Sequence, residues 1–226
     1  MVQWPVIIRR AAIFFRDCTI VTLYHCAISP LCMYKQAMSL PLILASASPQ
    51  RKTLLEGMGI PFEVHPSSVD EDAHPESVPH MRSRVLAELK AKDVAGQFPG
   101  RWVLGSDTLV EAAGGLLLEK PRDADDARRM LQLLGGNAIA VHSGVAVHTP
   151  QGDVLSDVHT ARVHFRPFTN DDIHWWIETG LWEGRSGSFQ LEGVEERLVD
   201  RVEGERTGVI GLPVLLTRDL LTRAGF

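Results

Sequence analysis

Residues 42–59 constrain this chain more than any other stretch, because an apolar run, Leu42-Ile43-Leu44-Ala45, passes through Ser-Ala-Ser-Pro directly into a helical pattern. A short continuous apolar run bounded by turn residues is the pattern of a strand buried on both faces at the centre of a sheet. Ser48 is a good N-cap, and Pro49 suits the first helical position, where its missing N–H costs nothing. Leu54, Leu55 and Met58 give the helix an apolar side, and Gly57 or Gly59 gives it a stop. Arg51 and Lys52 then fall in the first turn. That is the positive end of the helix dipole, where each cation is disfavoured by roughly 0.3–1 kcal/mol. A bound anion would offset this, and a helix N-terminus, the hydroxyls of Ser46 and Ser48 and two cations make a phosphate cradle without Walker-type glycines. The competing reading is that Arg51 and Lys52 extend into solvent, as surface cations commonly do.

The rest of the chain reads as strands interleaved with helices. Residues 60–65 form a second strand, and residues 67–79 a polar loop with an acidic run, Asp70-Glu71-Asp72. A helix over residues 79–95 turns Met81, Val85, Leu86 and Leu89 inward. Residues 102–105 form a buried strand that ends at Ser106-Asp107-Thr108, and Leu109-Val110 with Leu116-Leu117-Leu118 make a hairpin that returns Glu119-Lys120-Pro121 beside its start. Asp123 caps a packing helix with Ala127, Met130, Leu131 and Leu134 inside. Residues 139–149 and 154–165 alternate like paired strands, and Thr169 with Asp172 opens a helix bearing Ile173, Trp176 and Ile177, whose tryptophan is simplest as core. After a glycine-rich stretch at residues 184–193 come two short strands over residues 198–209 and a closing helix over residues 213–223. With no repeat or linker after Met38, the order predicts an α/β fold in one continuous domain over residues 38–226.

Residues 1–37 differ in kind: Arg9, Arg10, Arg16 and Lys35 face one acid, Asp17, with no turn-bounded strand and no helical stripe. They are expected to stand outside the fold. A targeting peptide, a membrane anchor and upstream sequence translated from too early a start compete for them. Asp17, Thr19, Thr22 and His25 argue against a spanning helix, which needs about 20 mostly apolar residues. The favoured expectation is a mis-set start with Met38 as the natural beginning, and an organellar transit peptide is the alternative. All three cysteines, Cys18, Cys26 and Cys32, lie here, so the body has none for a disulfide or a thiolate zinc site and suits a reducing, cytoplasmic compartment. A net charge of -5 supplies no general basic field, so no stable nucleic-acid complex is expected, and no membrane partner is required.

Asp107 follows an apolar strand, where open α/β sheets put their reactive groups, and can hold a metal or take a proton; it can equally cap a turn. Glu71 and Asp72 are hard oxygen donors suited to magnesium or manganese, against the plainer reading of a solvated acidic loop. Lys90 and Lys120 each adjoin an apolar stretch and can reach a phosphate, although alone they would be ordinary surface lysines. The chain contains no His-Glu-x-x-His, Gly-x-Ser-x-Gly or Gly-x-Gly-x-x-Gly, which leaves zincin, serine-hydrolase and Rossmann chemistry without support. Local cations, a few acids and no obvious nucleophile suggest metal-assisted attack of water on a phosphoanhydride.

Seven motifs in order, LILASASPQRKTLL, VDE, LKA, GSDT, EKPRDADDA, GSFQLEG and VIGLPV, resemble the Maf family of nucleoside triphosphate pyrophosphatases from about residue 40 to the C-terminus. The resemblance implies a bilobal α/β fold with an elongated mixed sheet and a cleft between lobes. It further implies hydrolysis of a nucleoside triphosphate to the monophosphate and pyrophosphate, a divalent metal (Mg2+ or Mn2+) near Glu71 and Asp107, and a homodimer. By the same resemblance Asp107 is the proton acceptor, Glu71 assists metal or water, and Ser48, Arg51, Lys52, Lys90 and Lys120 handle phosphates. Gln50, Thr108 and Glu192 stand at the family's specificity positions and disagree. The branch acting on dTTP and UTP usually has arginine, threonine and glutamine there, whereas the 7-methyl-GTP branch has tryptophan first and glutamate last, in a GSFKSEG motif that GSFQLEG resembles. Since a carboxylate suits a guanine edge and a cationic methylated base, the sequence leans toward 7-methyl-GTP. The alternatives are a dTTP/UTP pyrophosphatase and a non-catalytic nucleotide-binding regulator of cell division.

Overall fold

The computed structural model describes residues 40–71, 73, 76–193 and 195–226. The expected extension at residues 1–37 and the candidate ligand Asp72 lie outside the described residues. In chain order the elements are β1 (Leu42–Leu44), α1 (Pro49–Gly57), β2 (Phe62–Val64), α2 (Pro79–Gln97), β3 (Val103–Ala112), β4 (Leu116–Leu118), α3 (Ala124–Leu134) and β5 (Ala138–His148). They continue with β6 (Val154–Phe165), α4 (Asn170–Glu178), α5 (Glu195–Leu198), β7 (Val199–Glu203), α6 (Arg206–Ile210) and α7 (Val214–Ala224). The strands form one seven-stranded sheet in the order β2-β1-β3-β5-β6-β7, with β4 also paired to β3. β1 runs parallel to β2 and β3, and the remaining pairs are antiparallel, so the sheet is mixed as expected of the α/β class.

β3 organises the packing because its successive side chains go to opposite faces. Val103 joins Ile43, Ala146 and the small residues Ala87 and Ala91 of α2 on one face, and Leu104 joins Leu42, Leu55, Leu212 and Leu220 under α1 and α7 on the other. Farther along, Val110 and Ala112 enter a larger cluster with Met130, Leu134, Ile139, Phe165 and Trp176. Trp176 is wholly buried and its Nε1–H donates to the Ser188 carbonyl at 2.7 Å, which confirms it as core and pins the glycine-rich stretch to α4.

Helix α2 lies unusually close to the sheet. A Cβ built on Gly105 would sit 2.2 Å from the Ala87 carbonyl oxygen, and one on Gly144 would sit 2.2 Å from that of Ser83. The side of α2 against the sheet is accordingly Ser83, Ala87, Lys90, Ala91 and Val94; of the expected inward residues only Leu86 is fully buried, while Met81, Val85 and Leu89 are partly exposed. Hydrophobic periodicity favours large residues, but contact with glycine on a sheet demands small ones.

Two other expectations are corrected. β3 is continuous through Ser106-Asp107-Thr108, so Asp107 stands in mid-strand opposite Gly144 of β5 and not after a strand end. The second of the two strands expected over residues 198–209 is replaced by α6, with only β7 remaining extended. The predicted caps hold: Ser48 accepts from the Arg51 amide, Asp123 from the Asp126 amide, and Thr169 and Asp172 form a reciprocal capping box. Among the described residues no helix is long and apolar enough to cross a membrane.

Candidate active site

β1 and β4 pair with the same edge of β3, since β5 occupies the other, and they do so at opposite ends: Leu44 lies opposite Leu104, and Leu118 opposite Val110. Between them no described strand covers that edge of β3, which leaves a notch in the sheet at residues 105–109. A cavity of about 840 Å³ opens there, lined by the turn from Ala45 to Arg51, by Glu71, Lys90, Asp107 and Thr108, by Glu119 and Lys120 after β4, and by residues of the glycine-rich stretch.

On the α2 side of β3, Lys90 and Asp107 are buried together, with the Lys90 Nζ 2.6 Å from Asp107 Oδ1 and 2.8 Å from Glu71 Oε1. Burying one charge without the other would cost several kcal/mol, so each holds the other in place. Asp107 Oδ2 is buried with no hydrogen-bond partner among the described residues. Burial pushes the Glu71 carboxyl up, but the hydrogen bond and charge of Lys90 and the charges of Lys120 and Arg51 outweigh it and hold the group below the usual carboxylate range.

On the opposite side, Arg51 is held by uncharged groups. Its Nε donates to the Gly211 carbonyl at 3.0 Å, Nη1 to Ser46 Oγ at 2.9 Å and Nη2 to Thr108 Oγ1 at 3.3 Å. Desolvation draws its guanidinium below the usual arginine range, against the charges of Asp107 and Glu71, which act to raise it. Ser46 is buried and also accepts from the Ser48 amide at 3.3 Å, while Ser48 Oγ donates to Gln50 Oε1 at 3.1 Å.

The cavity therefore brings together Ser46, Ser48, Gln50, Arg51, Glu71, Lys90, Asp107, Thr108, Lys120 and Glu192 of the sequence-predicted residues. Lys52 is not among its lining residues; its ammonium lies 3.9 Å from Glu56 on the exposed side of α1. The reason is the roughly 100° turn between neighbouring helical residues, which sends Arg51 and Lys52 in different directions. Sequence reasoning also missed Arg82, Arg185 and Gln190, which line the cavity, and Ser143, which bonds Thr108 from β5. Arg82 precedes Lys90 by eight residues on the same helix, a spacing that was readable; Ser143 is one polar residue in an alternating strand and carries no such signal.

The carboxylates of Glu71 and Asp107, drawn together by Lys90, fit a hard cation that keeps several waters and substrate oxygens, as magnesium does. Among the described residues no group of three or more His, Cys, Asp or Glu is disposed to hold a metal on protein ligands alone.

This arrangement, with Arg51, Lys90 and Lys120 around the Glu71 and Asp107 carboxylates, suits a nucleotide hydrolase, and residues 41–224 match the family model described as Maf-like protein. The chain belongs to that family. A relative from Syntrophotalea carbinolica named dTTP/UTP pyrophosphatase is 40% identical over 187 residues, covering 81% of this chain and 84% of its own. Another of the same name from Thermus thermophilus is 39% identical over 186 residues, covering 82% of this chain and 96% of its own. The solved Staphylococcus aureus Ham1 protein is far more distant, with a TM-score of 0.44 and 13% identity over 80% of this chain and 98% of that one.

Proposed function

We propose that this protein hydrolyses dTTP and UTP to the nucleoside monophosphate and pyrophosphate. The observation that carries the reading is the Lys90 bridge to Glu71 and Asp107 across the notch from Arg51, in a chain about 40% identical to dTTP/UTP pyrophosphatases. Water attacks the α-phosphorus, its proton passes to the free Asp107 Oδ2, and the bond to the bridging oxygen breaks so that pyrophosphate leaves. Lys90 keeps Oδ1 occupied and so leaves Oδ2 to take the proton. Arg51 and Lys120 take up charge on the phosphates. Glu71 and Asp107 would hold the magnesium or manganese ion, which supplies neutralisation of charge growing on the phosphate oxygens.

For the base, the Glu192 carboxylate accepts the imide N–H of thymine or uracil, and the amides of Gln50 and Gln190 donate to the flanking carbonyls. The relatives' names favour the pyrimidine reading over the 7-methyl-GTP lean drawn from Glu192, which has no other support.

The test is pyrophosphate release from dTTP, UTP, GTP and 7-methyl-GTP with magnesium or manganese, before and after chelation. dTTP and UTP should lead, chelation should abolish release, and Asp107→Asn should lower kcat about 10²–10⁴-fold. Release from none of the four, or undiminished release by the variant, overturns catalysis in favour of a non-catalytic regulator. Preference for 7-methyl-GTP overturns the base assignment.

A further inference from the structure

A guanidinium carries five N–H groups, and Arg51 spends three of them on protein oxygens of Gly211, Ser46 and Thr108. One N–H on each terminal nitrogen remains, and the residue lines the cavity. The hydroxyls behind it have a defined direction. Ser143 is fully buried and its single proton goes to the Gly208 carbonyl at 2.7 Å. In the 3.0 Å contact between Thr108 Oγ1 and Ser143 Oγ the proton therefore comes from Thr108. Thr108 then meets Arg51 with a lone pair, and the order runs from Arg51 through Thr108 and Ser143 to the carbonyl of Gly208. The Gly211 carbonyl, 3.4 Å from Thr108 Oγ1, is the weaker outlet for the same proton and also accepts from Ser106 Oγ at 3.2 Å.

The single proton of Thr108 and one of its lone pairs are engaged inside the protein. We propose that Thr108 and Ser143 are positioning residues for Arg51, and that their relay to Gly208 aims the two remaining Arg51 N–H groups at a substrate phosphate. The inference rests on the function proposed above for the class of ligand. Because every partner of Arg51 in this network is uncharged, its positive charge stays available to the ligand. The VIGLPV motif acquires a role here through the carbonyl of its Gly211, and Gly208 immediately before it supplies the other.

Calorimetric binding of inorganic pyrophosphate and steady-state hydrolysis of the four nucleotides are compared for the unaltered chain and for Thr108→Val, Thr108→Ser and Ser143→Ala. Thr108→Val should weaken pyrophosphate binding and raise KM for every nucleotide about 10-fold while leaving the order of preference unchanged, and Thr108→Ser should restore both. Ser143→Ala should act in the same direction and by less. In an Arg51→Lys background Thr108→Val should add nothing further, because the group it positions is gone. Should Ser143→Ala fail to fold, the nearly isosteric Thr108 variants still decide. A changed order of preference with unchanged pyrophosphate affinity, additive losses in the Arg51→Lys background, or no pyrophosphate binding by the unaltered chain overturns the proposal. The expected binding losses in a chain that hydrolyses none of the four nucleotides would retain the relay and remove the function.

Discussion

The two faces of β3 hold their cations by opposite means. On the α2 face, Lys90 is matched by two carboxylates within 2.8 Å. On the other, Arg51 is held by two hydroxyls and one carbonyl. A lysine neutralised by its neighbours has little charge left for a substrate, but it orients a carboxylate well. An arginine in neutral company keeps its charge and is suited to grip. Adjacent residues in one strand, Asp107 and Thr108, thereby separate chemistry from binding.

That contrast can be broken most severely at Lys90. Lys90→Met strands the Asp107 carboxylate in a buried site and should destabilise the chain by about 3–5 kcal/mol in denaturant unfolding, with Asp107→Asn in the same chain recovering part of the loss. A loss in the double variant equal to the sum of the Lys90→Met and Asp107→Asn losses would mean that the pair is not energetically coupled. A milder probe is Gly105→Ala, whose methyl group meets the α2 backbone and should cost about 1–3 kcal/mol. Because it lifts the helix carrying Lys90 and leaves the Arg51 side alone, kcat should fall while pyrophosphate affinity holds; a fall in affinity alone would place the effect on the wrong face.

The smallest effect is on pH dependence. Glu71 is held below its ordinary value of 4.5 in the folded chain, so its contribution is fully present above that value and is lost only as pH falls through the lower folded value. Thermal melts of the unaltered chain and Glu71→Gln should therefore differ near neutrality and converge in acid. A difference that grew in acid would reverse the sign. The Arg51 face, with no carboxylate in direct contact, should add no such acid limb.

Local signals carried much of the fold. The Ser48, Asp123 and Thr169 caps, the β5–β6 pairing and the buried β1 strand each depend on residues close in sequence, and each was readable. The line through Ser106-Asp107-Thr108 was misread because polar residues in a row look like a turn, whereas here two of them face partners on opposite sides of a central strand. The site followed the same rule. Arg51 could be named from its helix turn, but its carbonyl partner Gly211 lies 160 residues away, and only folding brings the two together. Lys52 was misplaced because a cation in the first turn was weighed without the direction in which it projects.

The notch at residues 105–109 also gives β3 two kinds of backbone. The Trp102 and Leu104 carbonyls point at β1, so the even-numbered residues face that edge and the odd-numbered ones face β5. Gly105, Asp107 and Leu109 thus sit in an unbroken ladder, while Thr108, on the other edge, lines the cavity. One strand is at once an interior girder and a lining of the binding site, its rigidity secured from one side and its receptivity left on the other.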